Sequence, residues 1–367
     1  MSHETQAVQL LTELIGIDSV NPGLVPGAAG ETEIVAYLRD RLDAQGFETH
    51  LIPSAGFDNR PSLLAIGPGN TNQECIIFNG HLDTVGVKGM DHPFTARVEG
   101  DKLFGRGAAD MKGGVAAIVI AAEKMAASGS ALRPVLALVA DEEDASMGTE
   151  AVIAALPEFG LKPQVCLITE PTGLDLAISL RGFAVVRVRF SGHASHSSQP
   201  ELGINAVRQM GQLMAAVEHK AEELRATGGD LMVTVAHGGQ SPFVIPDEAE
   251  CIVELRTIPG QRADSAVEIV RKLCDPSWQV ELDLLASREA WELDETGPAA
   301  ALATDLGSEL GTSKNFVAPY WMEATLWQEI CPTVICGPTG GGLHAIDEYV
   351  ELAQVRALTS ALVTLLA

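Results

Sequence analysis

The chain has few basic residues, and this shortage excludes some partners. Its 367 residues include 24 Lys and Arg against 49 Asp and Glu, which gives a formal net charge of −25 at pH 7. A charge of this sign repels the phosphates of nucleic acids and anionic membrane surfaces, and the chain has no basic stripe that would attract them. We therefore expect no nucleic acid partner and no membrane partner.

Paired cysteines and long apolar runs are also missing. The six cysteines contain no C-x-x-C pair and several lie in apolar runs, so we expect buried free thiols. No stretch reaches the ~18 apolar residues that span a bilayer, and the N-terminal segment MSHETQAVQLLTELIG has no basic leader. The expected location is a reducing cytoplasm.

A phosphate-binding loop is the third absence. The chain contains no G-K-[ST] sequence, and GRGAAD does not match the G-x-G-x-x-G fingerprint of dinucleotide-binding proteins. The absence of both motifs argues against a nucleotide-binding α/β protein.

The chain does contain an alternation of helix and strand patterns from residue 4 to about 175, followed by a different pattern. The first part favours a largely parallel mixed sheet flanked by helices, with strands that are apolar on both faces. From about 177 to 286, strands with period-2 alternation, such as FAVVRVRF, combine with helices in the order β-α-β-β-α-β, which is a ferredoxin-like motif. The α/β pattern then returns. We expect an α/β domain formed by residues 1–176 and 287–367, with an inserted domain at 177–286.

Metal-capable side chains follow several of the predicted strands. They are His81, Asp110, Glu143, Glu170 and His344. Because ligands of open α/β sheets collect outside the carboxyl ends of the strands, these residues are expected to converge on one crevice. Imidazole nitrogens and carboxylate oxygens without a thiolate suit zinc, cobalt or manganese in a catalytic site.

Two further acids have predicted roles beside these residues. Asp83 lies two positions after His81, so its carboxylate is placed to accept the proton on the imidazole nitrogen that does not hold metal. Three acids crowd together at Asp141-Glu142-Glu143, which is costly unless cations lie among them. With Glu143 as a ligand, Glu142 is free to act as a general base that takes a proton from a metal-bridging water and passes it to a departing amine.

Each of these residues taken singly has a simpler explanation. Asp110 suits a helix N-cap, the three consecutive acids suit a helix N-terminus, and Glu170 suits a solvated surface. The joint arrangement at successive strand ends favours a two-metal hydrolase.

The ordered motifs resemble a known family essentially from end to end. The motifs are NGHLDTV, GRGAADMKGG, ADEE, TEPT, SGHASHSSQPELGINAV, ELRTIPG and LHAIDEYV. They are similar to the co-catalytic zinc aminoacylase and peptidase family that includes acetylornithine deacetylase, succinyl-diaminopimelate desuccinylase and glutamate carboxypeptidase. The resemblance implies two divalent ions bridged by Asp110. One ion is completed by His81 and Glu170 and the other by Glu143 and His344, with Glu142 as the base.

The resemblance also implies features outside the metal ligands. They include a cis peptide at Asp110-Met111 and a homodimer formed through the inserted lid/dimerisation domain. In similar enzymes the residue equivalent to His196 reaches the partner's active site to stabilise an oxyanion, and the equivalent of Arg256 binds a substrate carboxylate.

Three positions bear on the substrate. Phe243 stands where many relatives carry asparagine, and HAID at 344–347 lacks a proline that is common after the ligand histidine. Glu323, in MEATLW, resembles the Thr-Glu-Ala of acetylornithine deacetylases and either faces the cationic end of a substrate or is a structural acid. The expected function is deacylation of an N-acyl amino acid. The alternatives are a carboxypeptidase or dipeptidase acting on short peptides, and a catalytically dead binding protein. The presence of Glu142 and all five ligands argues against the last alternative.

Overall fold

A computed structural model describes residues 1–54, 56–70 and 72–367, with only the main chain described for residues 57 and 58. The chain divides into two compact units. The major unit consists of Met1–Ile178, Leu293–Phe316 and Met322–Ala367, and the inserted unit of Ser179–Glu292 and Val317–Trp321. The inserted unit extends past the expected boundary at residue 286 because its last long strand continues to Arg288.

The structure contains both helices and strands in each unit. The helices are α1 His3–Ile15, α2 Thr32–Ala44, α3 Gly113–Ser128, α4 Met147–Ala155, α5 Ala206–Arg225, α6 Ala266–Leu273, α7 Gly297–Leu310, α8 Ala324–Gln328 and α9 Leu352–Leu366. The strands are β1 Glu48–Ser54, β2 Phe57–Ile66, β3 Cys75–His81, β4 Arg97–Glu99, β5 Lys102–Phe104, β6 Arg133–Val139, β7 Pro163–Ile168, β8 Leu176–Leu180, β9 Gly182–Ser191, β10 Ser195–His196, β11 Asp230–Gly238, β12 Val244–Ile245, β13 Glu248–Thr257, β14 Gln279–Arg288, β15 Trp291–Glu292, β16 Asn315–Ala318, β17 Thr333–Ile335, β18 Gly340–Gly341 and β19 Tyr349–Glu351.

The helix boundaries follow local sequence signals. Helix α1 begins after Ser2, whose side chain accepts a hydrogen bond from the main-chain N–H of Thr5. Helix α2 ends before Gly46, which adopts a left-handed φ of 84°. In the part of the chain that the structure describes, no helix combines the length and apolarity needed to cross a membrane.

The major unit contains a mixed sheet in the order β1-β2-β6-β3-β7-β17. Strands β6, β3, β7 and β17 are parallel, and β1 and β2 add an antiparallel edge. Every residue of β3 is buried, as expected for a strand covered on both faces. Helices α1, α2, α3 and α9 contribute to its core through residues such as Leu10, Leu38, Ile120 and Leu358. The prediction of a largely parallel sheet flanked by helices is confirmed.

The inserted unit contains an antiparallel sheet in the order β11-β13-β9-β14. In β9, buried Val186 and Val188 alternate with the half-buried Arg187 and Arg189. Helices α5 and α6 supply the rest of this unit's own apolar core, for example through Leu213 and Val270. The chain order of these elements is β-α-β-β-α-β, while the role of the unit as a lid and dimerisation surface remains a prediction.

Candidate metal centre

Segments that follow three parallel strands and two strands of a separate antiparallel sheet bring the predicted ligands together. His81 is the last residue of β3, Glu143 lies in the loop after β6, and Glu170 lies just beyond β7. Asp110 lies in the turn between β5 and α3, and His344 follows β18. Parallel strands place their carboxyl ends at one edge of a sheet, which explains why His81, Glu143 and Glu170 meet although they are distant in sequence.

The carboxylate of Asp110 faces a different imidazole with each oxygen. Its Oδ1 lies 3.0 Å from His81 Nε2, and its Oδ2 lies 3.2 Å from His344 Nε2. Glu170 Oε1 is 3.8 Å from His81 Nε2, and Glu143 Oε2 is 3.1 Å from His344 Nε2. The structure thus groups the five residues into two sets that share Asp110.

The main chain of Asp83 fixes the imidazole of His81. His81 Nδ1 lies 3.0 Å from the carbonyl oxygen of Asp83, whereas the Asp83 carboxylate is farther away at 3.6 Å. A carbonyl only accepts hydrogen bonds, so Nδ1 carries a proton, and Nε2 is the ring nitrogen that faces Asp110. The expected tautomer is therefore held by the carbonyl of Asp83 more closely than by its carboxylate.

The Asp83 carboxylate instead orders the acidic loop after β6. Its two oxygens accept the main-chain N–H groups of Glu142 at 3.1 Å and Glu143 at 3.2 Å, and Oδ2 also accepts from Asn21 Nδ2 at 2.7 Å. Burial alone would raise the pKa of Asp83, but the nearby His81 imidazole and these donors lower it. Asp83 therefore remains charged and fixes the main chain of both glutamates.

A buried arginine supports the same loop from the other side. Asp141 has a left-handed φ of 68°, and its Oδ1 accepts hydrogen bonds from Arg60 Nη1 at 2.5 Å and Asn21 Nδ2 at 3.1 Å. Arg60 also makes a bidentate pair with Glu31. Sequence reasoning missed Asn21, Arg60 and Glu31. The available signal was the charge of Arg60 before an apolar run, which is a weak indication of a buried ion pair.

Asp110 lies outside the helix that follows it. Helix α3 begins at Gly113, and Asp110 has an extended conformation with φ −123° and ψ 94°. The Asp110-Met111 peptide is cis, as the resemblance implies. Burial would raise the pKa of Asp110, but hydrogen bonds from His344 and His81 lower it strongly. The N-cap explanation therefore does not hold for this residue.

The remaining acids are buried close to one another. Burial raises the pKa of Glu142 and Glu170 well above their ordinary values, and each is raised further by neighbouring carboxylates. Glu143 Oε1 is buried without a hydrogen-bond partner among the described residues. Hydrogen bonds with Asp110 and Glu143 raise the pKa of His344 to about 10. A site that collects this much negative charge fits cations, and its nitrogen and oxygen donors fit divalent metals.

The grouping of donor atoms leaves two assignments open for Glu142. Possible ligand atoms of His81, Asp110 and Glu143 all lie within 4.8 Å of one another, and the same holds for His81, Glu142 and Glu170. By this geometry Glu142 is close enough to be either a ligand or a base that acts beside the ligands.

Glu323 is buried in the major unit. Its Oε2 accepts a hydrogen bond from Thr149 Oγ1 at 2.7 Å, while Oε1 is buried without a hydrogen-bond partner in the described part of the chain. Burial raises its pKa to about 7. The bond to Thr149 suits a structural acid and the unpaired oxygen suits a group that faces a ligand, so both roles remain open.

His196 and Arg256 belong to the inserted unit. His196 is exposed, pairs with Val244 in a two-residue antiparallel bridge, and places Nδ1 2.8 Å from Ser198 Oγ. The Arg256 guanidinium pairs with Glu254 and lies over the Phe183 ring at 5.6 Å. Their predicted contacts with substrate remain predictions.

Sequence comparison assigns this chain to a known enzyme family. The model of peptidase family M20/M25/M40 matches residues 77–367, a range that contains all five predicted ligands. The succinyl-diaminopimelate desuccinylase of Gluconobacter oxydans is 31% identical over 376 residues, which cover 97% of this chain and 95% of that protein. The acetylornithine deacetylase of Proteus mirabilis is 25% identical, with 95% of this chain and 93% of that protein covered.

Solved structures share the fold at lower identity. A tripeptidase from Staphylococcus aureus has a TM-score of 0.81 at 16% identity, covering 98% of this chain and 96% of that one. A dinuclear metal binding peptidase of Bacillus subtilis has a TM-score of 0.73 at 16% identity, covering 98% and 97%. The family match and the desuccinylase similarity together show that this chain is a hydrolytic enzyme that belongs to peptidase family M20/M25/M40.

Proposed function

We propose that this enzyme is a dinuclear-metal amidohydrolase that removes the acyl group from an N-acyl amino acid, with N-acetylornithine as the first candidate substrate. The observation that carries the proposal is the position of Asp110, whose two oxygens lie 3.0 and 3.2 Å from the imidazoles of two separate donor sets. Similarity to an acetylornithine deacetylase and a desuccinylase supports deacylation over other hydrolytic reactions.

The donor set suits zinc first, with cobalt or manganese as alternatives. Asp110 would bridge two ions, one completed by His81 and Glu170 and the other by Glu143 and His344. When bound, the two ions supply Lewis acidity for the amide carbonyl and charge stabilisation for attack by water. The buried acids then keep their charges because cations compensate them.

Glu142 is the proposed general base. Its main chain is fixed by the Asp83 carboxylate, and burial raises the pKa of its side chain, which makes the carboxylate a stronger proton acceptor. The Glu142 carboxylate takes a proton from the attacking water and delivers it to the nitrogen of the departing amine. The amide C–N bond breaks as that nitrogen is protonated, which leaves a free amino acid and a carboxylic acid.

Three residues outside the donor sets are proposed to recognise the substrate. His196 of a partner subunit would donate to the oxyanion in a homodimer, and Arg256 would form a forked pair with the substrate carboxylate. Glu323 would attract the cationic end of an ornithine-like side chain through its unpaired Oε1, unless its bond to Thr149 makes it a structural acid. A cytoplasmic location belongs to the same proposal.

A metallo-carboxypeptidase or dipeptidase is the second candidate. The same donor sets serve peptide hydrolysis equally well, and the fold is shared with a tripeptidase. The two candidates differ in the group on the acyl side of the scissile amide, which is a simple acyl group in one case and an amino acid in the other.

The test is release of free amine from a substrate panel by the metal-loaded enzyme. The panel contains N-acetylornithine, N-succinyl-diaminopimelate, other N-acyl amino acids and simple dipeptides, with zinc or cobalt added. Preferential turnover of N-acetylornithine is expected. Turnover of dipeptides alone would move the assignment to a peptidase, and no turnover by the metal-loaded protein would favour a binding protein. Glu323→Gln should weaken selection for N-acetylornithine over N-acetylalanine if Glu323 faces the cationic end.

A further inference from the structure

Glu348 makes an unusual number of contacts for one buried carboxylate. It is fully buried, and its oxygens accept the main-chain N–H groups of Gly107 at 3.0 Å, Ala109 at 3.0 Å and Asp110 at 3.2 Å. These N–H groups belong to the irregular turn before α3 and need acceptors because the turn is buried. One side chain therefore orders the main chain that carries Asp110.

Arg106 extends this contact to two more loops. Its Nη1 donates to Glu348 Oε2 at 2.6 Å, and its Nη2 donates to the carbonyl oxygens of Gly86 and Ala345 at 3.0 Å each. Gly86 lies in the segment after His81 and Asp83, and Ala345 follows His344 directly. The buried pair thus connects the main chains next to three of the five predicted ligands.

The neighbouring residues leave little freedom for this turn. Gly107 has a φ of 78°, and a Cβ there would lie 2.8 Å from Thr84 Cγ2. The position of Asp110 is therefore restrained by tight packing at Gly107 and by the Glu348 carboxylate at the Asp110 N–H.

We propose that the Arg106–Glu348 pair is a positioning element that sets Asp110 and His344 at the separation needed to hold one metal ion between them. The proposal rests on the proposed function, because it assumes that these residues are ligands. Neither residue touches the reacting atoms. They act through the main chain, as outer residues of metal sites often act through the ligands that they orient.

Glu348→Gln is the decisive variant. The amide has only one accepting atom, so the contacts of one carboxylate oxygen are lost, either those to Arg106 and Gly107 or those to the N–H groups of Ala109 and Asp110. In either case the buried arginine loses its carboxylate partner. A matched control is Glu123→Gln, which damages the pair in which Arg41 Nε and Nη2 donate to Glu123 at 2.6 and 3.0 Å. That pair joins α2 to α3, and Asp110 is not among its hydrogen-bond partners in the described part of the chain.

The primary measurement is the binding of Co²⁺ in the absence of substrate. Calorimetry and the visible absorption of the bound ion monitor this binding. Wild type and Glu123→Gln are expected to bind two ions per chain with equal affinity. Glu348→Gln should bind the weaker ion at least ~10-fold less tightly, the lower end of the effect seen for residues that orient ligands. The variant should also lower kcat by at least ~10-fold with a smaller change in KM, since the acyl substrate contacts other groups.

Hydrogen exchange of the metal-free protein gives a readout that does not depend on activity. The peptide covering residues 105–112 should exchange faster in Glu348→Gln than in wild type, and at the wild-type rate in Glu123→Gln. Arg106→Lys, which leaves the N–H acceptors in place, should show a smaller loss of Co²⁺ affinity than Glu348→Gln.

Two results separate this proposal from the proposed function. If wild type binds no pair of ions, the metal assignment itself fails. If wild type binds two ions and Glu348→Gln binds them equally well, with loss of thermal stability alone, the pair is structural and the positioning proposal is wrong. Should Glu348→Gln fail to fold, Glu348→Asp and Arg106→Lys replace it, and wild-type Co²⁺ affinity in both would overturn the proposal.

Discussion

Strands β3 and β9 illustrate a difference between the two units. Every residue of β3 is buried and the strand ends in His81, whereas β9 alternates buried valines with the half-buried Arg187 and Arg189. A strand covered on both faces has room for polar chemistry only at its ends, while a strand with one covered face can carry charge along its length. The candidate metal centre therefore lies at strand ends in the major unit, and the inserted unit spreads its charges over a sheet face.

The charges of the two regions differ in burial accordingly. In the major unit Glu31, Arg60 and Asp141 form a contact network in which no residue is more than 3% exposed. In the inserted unit the pair between Arg187 and Asp283 joins side chains that are 35% and 34% exposed. Buried charges are tolerated only with several donors and acceptors around them, whereas exposed pairs contribute little to stability. Substitutions should therefore have very different effects in the two regions.

The largest effect is expected for the strand-end acid that acts as base. Glu142→Gln should lower kcat by ~10²–10⁴-fold, the usual contribution of a general base, while two Co²⁺ ions still bind. Steady-state kinetics and metal titration on the same preparation provide the measurement. Glu158→Gln, at an exposed position, is the control and should leave both kcat and the binding of two Co²⁺ ions unchanged. Loss of a metal ion in Glu142→Gln would instead make Glu142 a ligand, and turnover near that of wild type would remove it from the mechanism.

The second prediction concerns the buried network behind that acid. Glu31→Gln leaves the Arg60 guanidinium buried without its bidentate partner, and we expect a loss of about 3–5 kcal/mol in the free energy of unfolding. Urea denaturation followed by circular dichroism measures this quantity. Glu33→Gln, at an exposed position in the first turn of α2, the helix that begins directly after Glu31, should change it by less than about 0.5 kcal/mol. Equal effects of the two substitutions would contradict the contrast between buried and exposed charge.

The same contrast explains what the sequence can predict. His81, Glu143 and Glu170 can be predicted from the sequence because apolar runs mark the strands that precede them. The carboxyl ends of parallel strands then lie at one edge of the sheet. The sequence does not reveal that Arg106 meets Glu348, because these residues lie 242 positions apart and no periodic pattern connects them. Nor does it reveal that Val317–Trp321 belongs to the inserted unit, since this depends on where the chain returns in space.

Residues of the inserted unit are harder to assign than those of the major unit. An exposed histidine such as His196 has no local signal that distinguishes it from a solvated side chain, so its role rests on the family resemblance. The alternation in β9 predicts the strand correctly, but it gives no information on what the charged face contacts. Chemistry at the ends of buried strands is therefore easier to locate from the sequence than chemistry supplied by an exposed loop.

His196 provides the third prediction, which tests the exposed region directly. His196→Ala should lower kcat by ~10²–10³-fold if the side chain donates to the oxyanion. His193→Ala is a matched control, because His193 is an exposed histidine of the same loop that is not predicted to contact substrate. Mixing His196→Ala with Glu142→Ala subunits should restore activity, since one site of the mixed dimer then has both residues. Failure to restore activity would contradict a contribution across subunits.

The smallest effect is expected on the charged face of the inserted sheet. Asp283 Oδ2 accepts from Arg187 at 3.0 Å and from Arg189 at 2.7 Å, with all three side chains partly exposed. Asp283→Asn should therefore cost about 1 kcal/mol or less in the free energy of unfolding. The difference from wild type should shrink further in ~1 M salt, which screens exposed charges over about 3 Å. The loss caused by Glu31→Gln should change much less, because that pair is buried. A loss of several kcal/mol for Asp283→Asn that persists in salt would mean that this face is covered in solution, which would favour a second copy of the chain packing against the sheet.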